Sequence, residues 1–521
     1  MLNSNSVKTR FLVSVGANGI RSILGFVTGL LVARALNPSG YGDLMFLLGS
    51  FAAIRGLLDM GTSSAFYTFL SRHTQGRRFY LVYFFWTALQ FLITLILVAA
   101  IIPAGLFEKI WLGHNREIVI FAFLAAFMQQ QVLQTISQIG ESMRKTVKLQ
   151  LLTIVFAMLY LVVLALLFEF GVMTQKNIFF AMIFQGAIAS LSVYWVLRKD
   201  QAHPYEKDAT LEQIILEYWV YCKPLIALSL VTFLYDFADK WMLQKFGGAT
   251  QQGFFQIANQ FSNTMLLATM SIVNIFWKEI ADAWEKRDHI RIAMLYRKAT
   301  RGLVMLSAIA SGLVLPWSEQ VVMIILGPTY VPAWPVLAVM LLYPIHLPMG
   351  IIGGSTLLAT GQTHKHMLVG VAGMLVSMPI SYFMLAPTTE DMLPGFGLGA
   401  IGLASKLVML SIVSVNIQAW VIARYNGWKF DWLFQVVGIP LMIALGYLVK
   451  FLIGLIWNLD DVSIINLLFP VLLASFIYAI IVMCTIWLLP WLIGLEKNGV
   501  ENMLTPLSSR IKSALFSSGK P

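Results

Sequence analysis

Residues 221–248 read YCKPLIALSLVTFLYDFADKWMLQKFGG. The stretch is long and apolar enough to cross a bilayer, yet it carries Lys223, Asp236, Asp239 and Lys240. A charge at bilayer depth costs roughly 2.5–3.5 kcal/mol on insertion scales, so such a residue faces a partner or a cavity rather than lipid. The segment lies near the middle of the chain, after the longest polar linker of the first half. It is expected to open the second of two helical bundles and to help line a polar cavity between them.

The surrounding chain supports a membrane reading. Of its 521 residues 58% are hydrophobic and 12% charged, and the mean hydropathy is +0.77. That much apolar surface cannot be hidden in a soluble fold of this size, which leaves a polytopic membrane protein. The two cysteines, Cys222 and Cys484, both sit in apolar segments, so neither a disulfide framework nor a metal site is expected. The N-terminal MLNSNSVKTR has no small-residue cleavage site after a short apolar run, and the first helix is expected to be retained.

Fourteen apolar runs of membrane length recur: 11–35, 43–70, 79–106, 117–139, 149–171, 177–197, 219–244, 252–277, 300–326, 333–359, 366–387, 398–423, 432–457 and 463–494. With both termini placed in the cytoplasm, 25 of the 36 Lys and Arg residues fall inside, five fall outside (Arg34, Lys109, Arg116, Lys176, Lys245), and six lie within helices. The net charge of +11 thus reads as membrane topology, and nucleic acid is not an expected partner. Outer connections such as 37–43, 327–333 and 387–397 leave no room for an extramembrane catalytic domain. The linker 201–218 places Leu211, Ile214, Ile215 and Tyr218 at helical spacing, as in an interfacial amphipathic helix. Residues 279–298 are charge-dense and are expected to extend the eighth helix into water. The basic tail 497–521 is expected on the cytoplasmic side.

A faint internal repeat links LVARALNPSGYGDLMFL, from the first helix into the second, to WMLQKFGGATQQGFFQI, from the seventh into the eighth. A basic residue, a Gly-rich turn and the opening glycines Gly42 and Gly253 correspond. Copies six helices apart run in the same direction, which implies two parallel bundles.

Polar residues at depth mark candidate sites. Ser14, Asn18 and Arg21 share one face of the first helix, with Arg21 roughly 15 Å in at 1.5 Å per residue. Arg55 reaches similar depth on the second helix, with Asp59 one turn away as an i, i+4 partner. Asp236 and Lys240 share a face of the seventh. The fourth helix carries Gln130, Gln134 and Gln138; the eighth carries Gln256, Gln260 and Asn263; the twelfth contributes Lys406. Each has a structural alternative. Amide stripes also serve as interhelical glue at about 0.6 kcal/mol per bond. Asp236 and Lys240 also read as a structural pair, and Lys223 and Lys450 as side chains reaching for the surface. Arg21 and Arg55 cannot easily reach an interface from mid-helix. Their planar forks suit phosphate, each donating two hydrogen bonds. Helix breakers at Pro224, Pro316, Pro344, Pro348 and Pro379 fit a moving structure. No ATP-binding GxxxxGK[ST] loop, HExxH or Cys/His cluster is present, so energy is expected from an ion or substrate gradient or from the membrane potential.

Three blocks occur in order: ARALNPSGYGDL with LLDMGTSSAF (within 16–66), KPLIALSLVTFLYDFADKWML with GFFQIANQF, and LGPTYVPAWPVLAVMLLYPIHLP with LLATGQTHKH. Together they resemble the polysaccharide transporters, Wzx-type flippases for lipid-linked oligosaccharides, of the multidrug/oligosaccharidyl-lipid/polysaccharide (MOP) superfamily. The resemblance spans about residues 8–425. It implies an all-α membrane fold, with one six-helix bundle at 1–200, a linker at 201–218, a second bundle at 219–425, two accessory helices at 432–494 and a tail at 497–521. It implies a non-enzymatic carrier, without cofactor, in the bacterial inner membrane. Such a carrier moves a polyprenyl-diphosphate-linked oligosaccharide between leaflets by alternating access, for O-antigen, lipopolysaccharide or exopolysaccharide assembly. Membrane lipids, glycan polymerases and glycosyltransferases would be its partners. On the resemblance Arg21, Arg55, Lys223 and Lys240 would hold the diphosphate. Asp59, Asp236 and Asp239 would couple an ion or balance charge. Asn18, Gln130, Gln134, Gln256, Gln260 and Asn263 would line the cavity. Where relatives show Asp-Arg this chain has Asp239-Lys240, which removes the bidentate fork at that position.

Two rivals make different demands. An ion-coupled exporter of small cationic drugs wants unpaired carboxylates and aromatics at depth, whereas here basic residues dominate. A membrane glycan polymerase or ligase needs a large outer loop, and none exists.

Overall fold

The computed structural model describes residues 7–72, 75–143, 145–198, 210–389, 393–457 and 464–495. The linker residues 201–209 and the tail 497–521 lie outside them. Among the described residues all regular structure is helical. Twelve helical stretches are long and apolar enough to cross a membrane. The stretch expected at 149–171 is the helix Thr146–Glu169, which turns Leu151, Leu159, Val162 and Leu166 outward, each more than half exposed. A helix so apolar on its open face is stable only in lipid.

Two of the twelve stretches are long enough for two crossings: Gly16–Asp59, with 44 residues, and Leu211–Leu266, with 56. Each is interrupted where the sequence reading divides it. Asn37 adopts φ 58°, ψ 171°, ahead of Pro38, and Gly248 adopts φ 77°, ψ 175°. These nearly identical dihedrals stand at corresponding places in the internal repeat, five residues before Gly42 and Gly253 respectively.

The chain divides into two compact units, residues 1–260 with 371–406 and residues 261–370 with 407–521. In the first, an aromatic stack organises the ends of several helices. Phe66 lies 3.9 Å from Tyr83 and 5.6 Å from Phe79, centroid to centroid. Ile214 and Tyr218 pack onto this cluster. The expected interfacial linker therefore takes another form. Thr210 and Gln213 form a reciprocal capping box, and one uninterrupted helix runs from Leu211 to Met242 through Pro224. Ile214 and Tyr218 pack on protein while Leu211 and Ile215 stay exposed, and no break separates this stretch from the membrane span.

Also in the first unit, the two repeat glycines meet. A Cβ on Gly42 would fall on the Ala249 carbonyl, and one on Gly253 would fall on the Pro38 carbonyl. Only glycine lets the two backbones approach this closely.

In the second unit, the helices Leu433–Gly454 and Ile464–Leu488 share a core with His289–Val314. Phe434, Met442, Ala474 and Tyr478 pack with Val304, Met305 and Ala308. The Tyr478 hydroxyl bonds the Ile309 and Met442 carbonyls at 3.1 and 3.2 Å. Lys450 does not reach outward to the surface as expected. Its Nζ donates to the Pro316 carbonyl at 2.7 Å and to Gln320 at 3.1 Å, at the turn where Pro316 interrupts the helix. The charge-dense stretch 279–298 does not simply prolong one helix. Gly248–Glu285 ends, Arg287 turns with φ 55°, and Asp288 caps the next helix by accepting from the Arg291 N–H at 2.9 Å.

Candidate functional site

Arg55 is held by neutral groups. Its Nε donates to Gln131 Oε1 at 2.7 Å, and its Nη2 donates to Gln134 Oε1 at 2.6 Å. Gln131, 2% exposed, passes the network on through its Nε2 to the Tyr83 hydroxyl at 3.2 Å. That hydroxyl lies 3.2 Å from both Ser63 and Thr135. Of the expected glutamine stripe, Gln134 is used and Gln130 is not. Gln131, an i, i+3 neighbour of Gln134 beside the π-helical turn Phe127–Val132, takes the place expected for Gln130. Arg55, Gln90 and Gln131 border a cavity of about 30 Å³, large enough for water.

The expected Arg55–Asp59 pair does not form. The helix stops at Asp59, where Met60 (φ 46°) and Gly61 (φ 84°) turn the chain. The carboxylate becomes the cap of the following helix, Thr62–Arg72. Its Oδ1 accepts from Ser63 N at 3.0 Å, Ser63 Oγ at 2.5 Å and Thr62 Oγ1 at 3.1 Å. Arg55 feels it only through space. Arg21 bonds Asn18 Oδ1 at 2.8 Å, and Glu141 attracts it electrostatically. The sequence reading missed Glu141, which lies beyond the end of the expected fourth span.

The other charges sort differently. Asp239 and Lys406 form a buried ion pair, Nζ to Oδ2 at 2.5 Å, with Lys406 0% exposed. Ser381 completes a triangle: its Oγ accepts from Lys406 at 2.9 Å and donates to Asp239 Oδ1 at 2.5 Å. The Tyr235 ring lies 5.2 Å from the ammonium. Asp236 and Lys240 do not come within ion-pair distance, and Lys240 lies over Gly49. Lys223 is exposed. The sequence placed Lys406 at depth but offered no partner for it, because Ser381 and Asp239 are 25 and 167 positions away.

The eighth helix's amides divide as well. Gln260 is structural glue: its Nε2 donates to the Phe26 carbonyl at 3.0 Å, and its Oε1 accepts from Tyr41 at 3.0 Å. Gln256 is partly buried and Asn263 exposed. Near the turns of the first unit, Asp43 accepts from His114 Nε2 at 3.1 Å and from Gln244 Nε2 at 2.8 Å. His114 Nδ1 faces the Trp111 carbonyl at 2.5 Å. Two acceptors on one ring require both nitrogens to carry protons. Burial works against that charge. The hydrogen bonds to Asp43 and Trp111, with the Asp43 charge, outweigh it and raise the ring above its ordinary value.

This set of groups holds no activated nucleophile and, among the described residues, no metal cluster. What it can do is present a cation whose hydrogen-bond partners are exchangeable amides. Comparison with known proteins agrees with a carrier. No curated protein sequence matches the chain. Among solved structures, the lipid II flippase MurJ in an inward closed conformation aligns with TM-score 0.66 at 14% identity, over 91% of this chain and 99% of that one. An inward-facing multidrug resistance MATE family transporter of the MOP superfamily aligns with TM-score 0.60 at 15% identity, over 78% and 96%. A MOP superfamily transporter from Pyrococcus furiosus aligns with TM-score 0.53 at 14% identity, over 80% and 94%. These likenesses show the fold, an all-helical one shared with a flippase and with transporters. The sequence model for "Polysaccharide biosynthesis protein" matches residues 7–276, just over half of the 521. This multi-pass membrane protein therefore belongs to the polysaccharide biosynthesis protein family.

Proposed function

We propose that the protein is a flippase for a polyprenyl-diphosphate-linked oligosaccharide in the bacterial inner membrane, serving surface polysaccharide assembly by alternating access. The observation that carries this reading is the state of Arg55. It is a guanidinium at membrane depth that is bonded to Gln131 and Gln134 and paired with no carboxylate among the described residues. A diphosphate can replace the amide oxygens one for one and gains charge in doing so. Arg21, clasped by Asn18, is the second such cation. Lys223 and Lys240 add positive charge, and Asp236 is the carboxylate left for coupling or charge balance. Membership of the polysaccharide biosynthesis family supports a glycan cargo. The 25-to-five distribution of basic residues supports cytoplasmic termini, with bundles at 1–200 and 219–425 and an added pair of helices at 432–494.

The test is complementation of a strain lacking its lipid-linked oligosaccharide flippase, together with translocation of a labelled polyprenyl-diphosphate oligosaccharide in proteoliposomes. Wild type restores export, and Arg21→Ala and Arg55→Ala abolish it while still reaching the membrane. Export retained by both single variants would sink the assignment. Raised drug resistance without glycan export would favour the exporter reading instead.

A further inference from the structure

The second unit contains a cavity of about 820 Å³ that the flipping mechanism does not use. It lies where three segments converge: the first half of His289–Val314, residues 428–431 after Gly399–Asn426, and the turn Pro490–Ile493 that ends the last helix. Arg297, Lys298, Arg301 and Lys429 line it, against the single carboxylate of Asp431. That carboxylate is already taken. Arg301 grips it with two bonds, 2.6 and 2.8 Å, and is itself only 14% exposed in its side chain. Arg301 also donates to the Trp491 carbonyl at 2.5 Å, so it serves as a brace for the cavity wall.

Two unpaired cations remain, together with Arg297, which shares Asp431 at the edge of ion-pair distance. The Arg297 side chain is 54% exposed and stands 3.6 Å from Asp431, beyond a good hydrogen bond. Lys298 and Lys429 are exposed, with no ion-pair partner among the described residues. The rest of the lining is apolar or aromatic and includes Met294, Met349, Ala419, Trp428 and Trp491. Basic connections by themselves are explained by topology. Topology, however, requires only charge in a connection and does not require two distant connections to meet over an apolar floor beside two tryptophans. A basic rim with an apolar wall at the end of membrane helices matches the headgroup and upper chains of an anionic lipid. The volume lies in the range of a real ligand site. The chain beyond Leu495 is a poor occupant by charge, since Lys497, Arg510, Lys512 and Lys520 outnumber Glu496 and Glu501.

We propose that this cavity is a binding site for the phosphate headgroup of an anionic phospholipid. Arg297, Lys298 and Lys429 contact the phosphate, Trp428 and Trp491 contact the glycerol and upper acyl region, and Arg301–Asp431 is the fixed wall. The site shares no residue with Arg21 or Arg55, so its occupancy is measurable whether or not the protein flips a glycan lipid.

The test uses the full chain in detergent, titrated with phosphatidylglycerol in mixed micelles and read by native mass spectrometry. Each cation near an anionic headgroup is worth about a factor of five, so Arg297→Gln/Lys298→Gln/Lys429→Gln together should weaken binding by about 100-fold. Lys286→Gln/Arg287→Gln, on the same connection but outside the cavity, should change it by less than about threefold. The charge-preserving Arg297→Lys/Lys429→Arg variant should retain binding and controls for folding, alongside an unchanged melting temperature of the triple variant. Wild-type phosphatidylglycerol affinity in the correctly folded triple variant overturns the site. A second arm adds inorganic pyrophosphate. Failure to displace the lipid supports a lipid ligand, whereas full displacement at equal concentration reassigns the cavity to a soluble anion and overturns the lipid proposal.

Discussion

Arg55 and Lys406 are both cations at membrane depth in the first unit, and the chain treats them in opposite ways. Lys406 is 0% exposed and neutralised by Asp239, with Ser381 closing the triangle. Arg55 keeps its full charge because its partners, Gln131 and Gln134, are neutral. The difference separates a structural cation from an available one. A carboxylate partner cannot be displaced by an incoming anion without leaving a buried negative charge behind. An amide partner can, because a released glutamine is neutral and can hydrogen-bond water instead.

The largest expected effect comes from breaking the locked pair. Asp239→Asn or Lys406→Met alone leaves an uncompensated buried charge or its polar stump and should destabilise by about 3–5 kcal/mol. The double variant should recover much of that loss, and thermal unfolding in detergent measures both. Singles that melt like wild type would remove the distinction between the two cations. Next in size is Arg55→Gln. On the proposed flippase reading, losing two charge-assisted bonds to the diphosphate, at about 1.5 kcal/mol each, should slow translocation by about 100-fold while lowering stability by only about 1 kcal/mol. A variant that loses stability and transport in proportion would make Arg55 structural after all. Smaller still is Gln134→Ala, which removes one membrane hydrogen bond worth about 0.6 kcal/mol and should leave Arg55 more available, with transport retained.

The smallest effect belongs to a pair between these extremes, His114 with Asp43. The folded His114 titrates above its ordinary 6.5. Its contribution is therefore fully present below that unfolded value and is lost as pH rises through the higher folded value. Wild type should lose about 0.5 kcal/mol or less across that window relative to His114→Asn, whose melting temperature should be flatter with pH. Identical pH profiles would show that the ring is not charged in the folded protein.

Much of this was legible in the sequence, and what was not has physical causes. Apolar runs are a direct signal, and the span expected at 149–171 is the helix Thr146–Glu169. The turns at Asn37 and Gly248 were legible too, since LNPSG and FGG can hardly continue a helix. The Arg55 clasp was half legible. The i, i+4 stripe picked out Gln134, whereas Gln131 stands three residues from it, a spacing equally compatible with one face, and the sequence does not say which of the adjacent amides turns toward Arg55. Asp59 was misread because i, i+4 pairing presumes that the helix continues, and it ends there. The Asp239–Lys406 pair follows from the rule that buried charges need partners, but the rule does not say which partner. Lys240 was the nearer one in sequence and not the one in space.

The meeting of Gly42 and Gly253 has a further consequence. The two glycines occupy matching places in the repeat, and each packs against the backbone of the other copy's turn. Such a contact has the geometry of an isologous interface, in which one patch meets its own counterpart across a two-fold axis, although here both patches belong to one chain. In a homodimer a single mutation strikes such an interface twice. In this chain each half is free to change alone, so the two turns can drift apart in chemistry, as Asn37-Pro38 and Gly248-Ala249 have, while the two glycines remain tied to each other by the space they share.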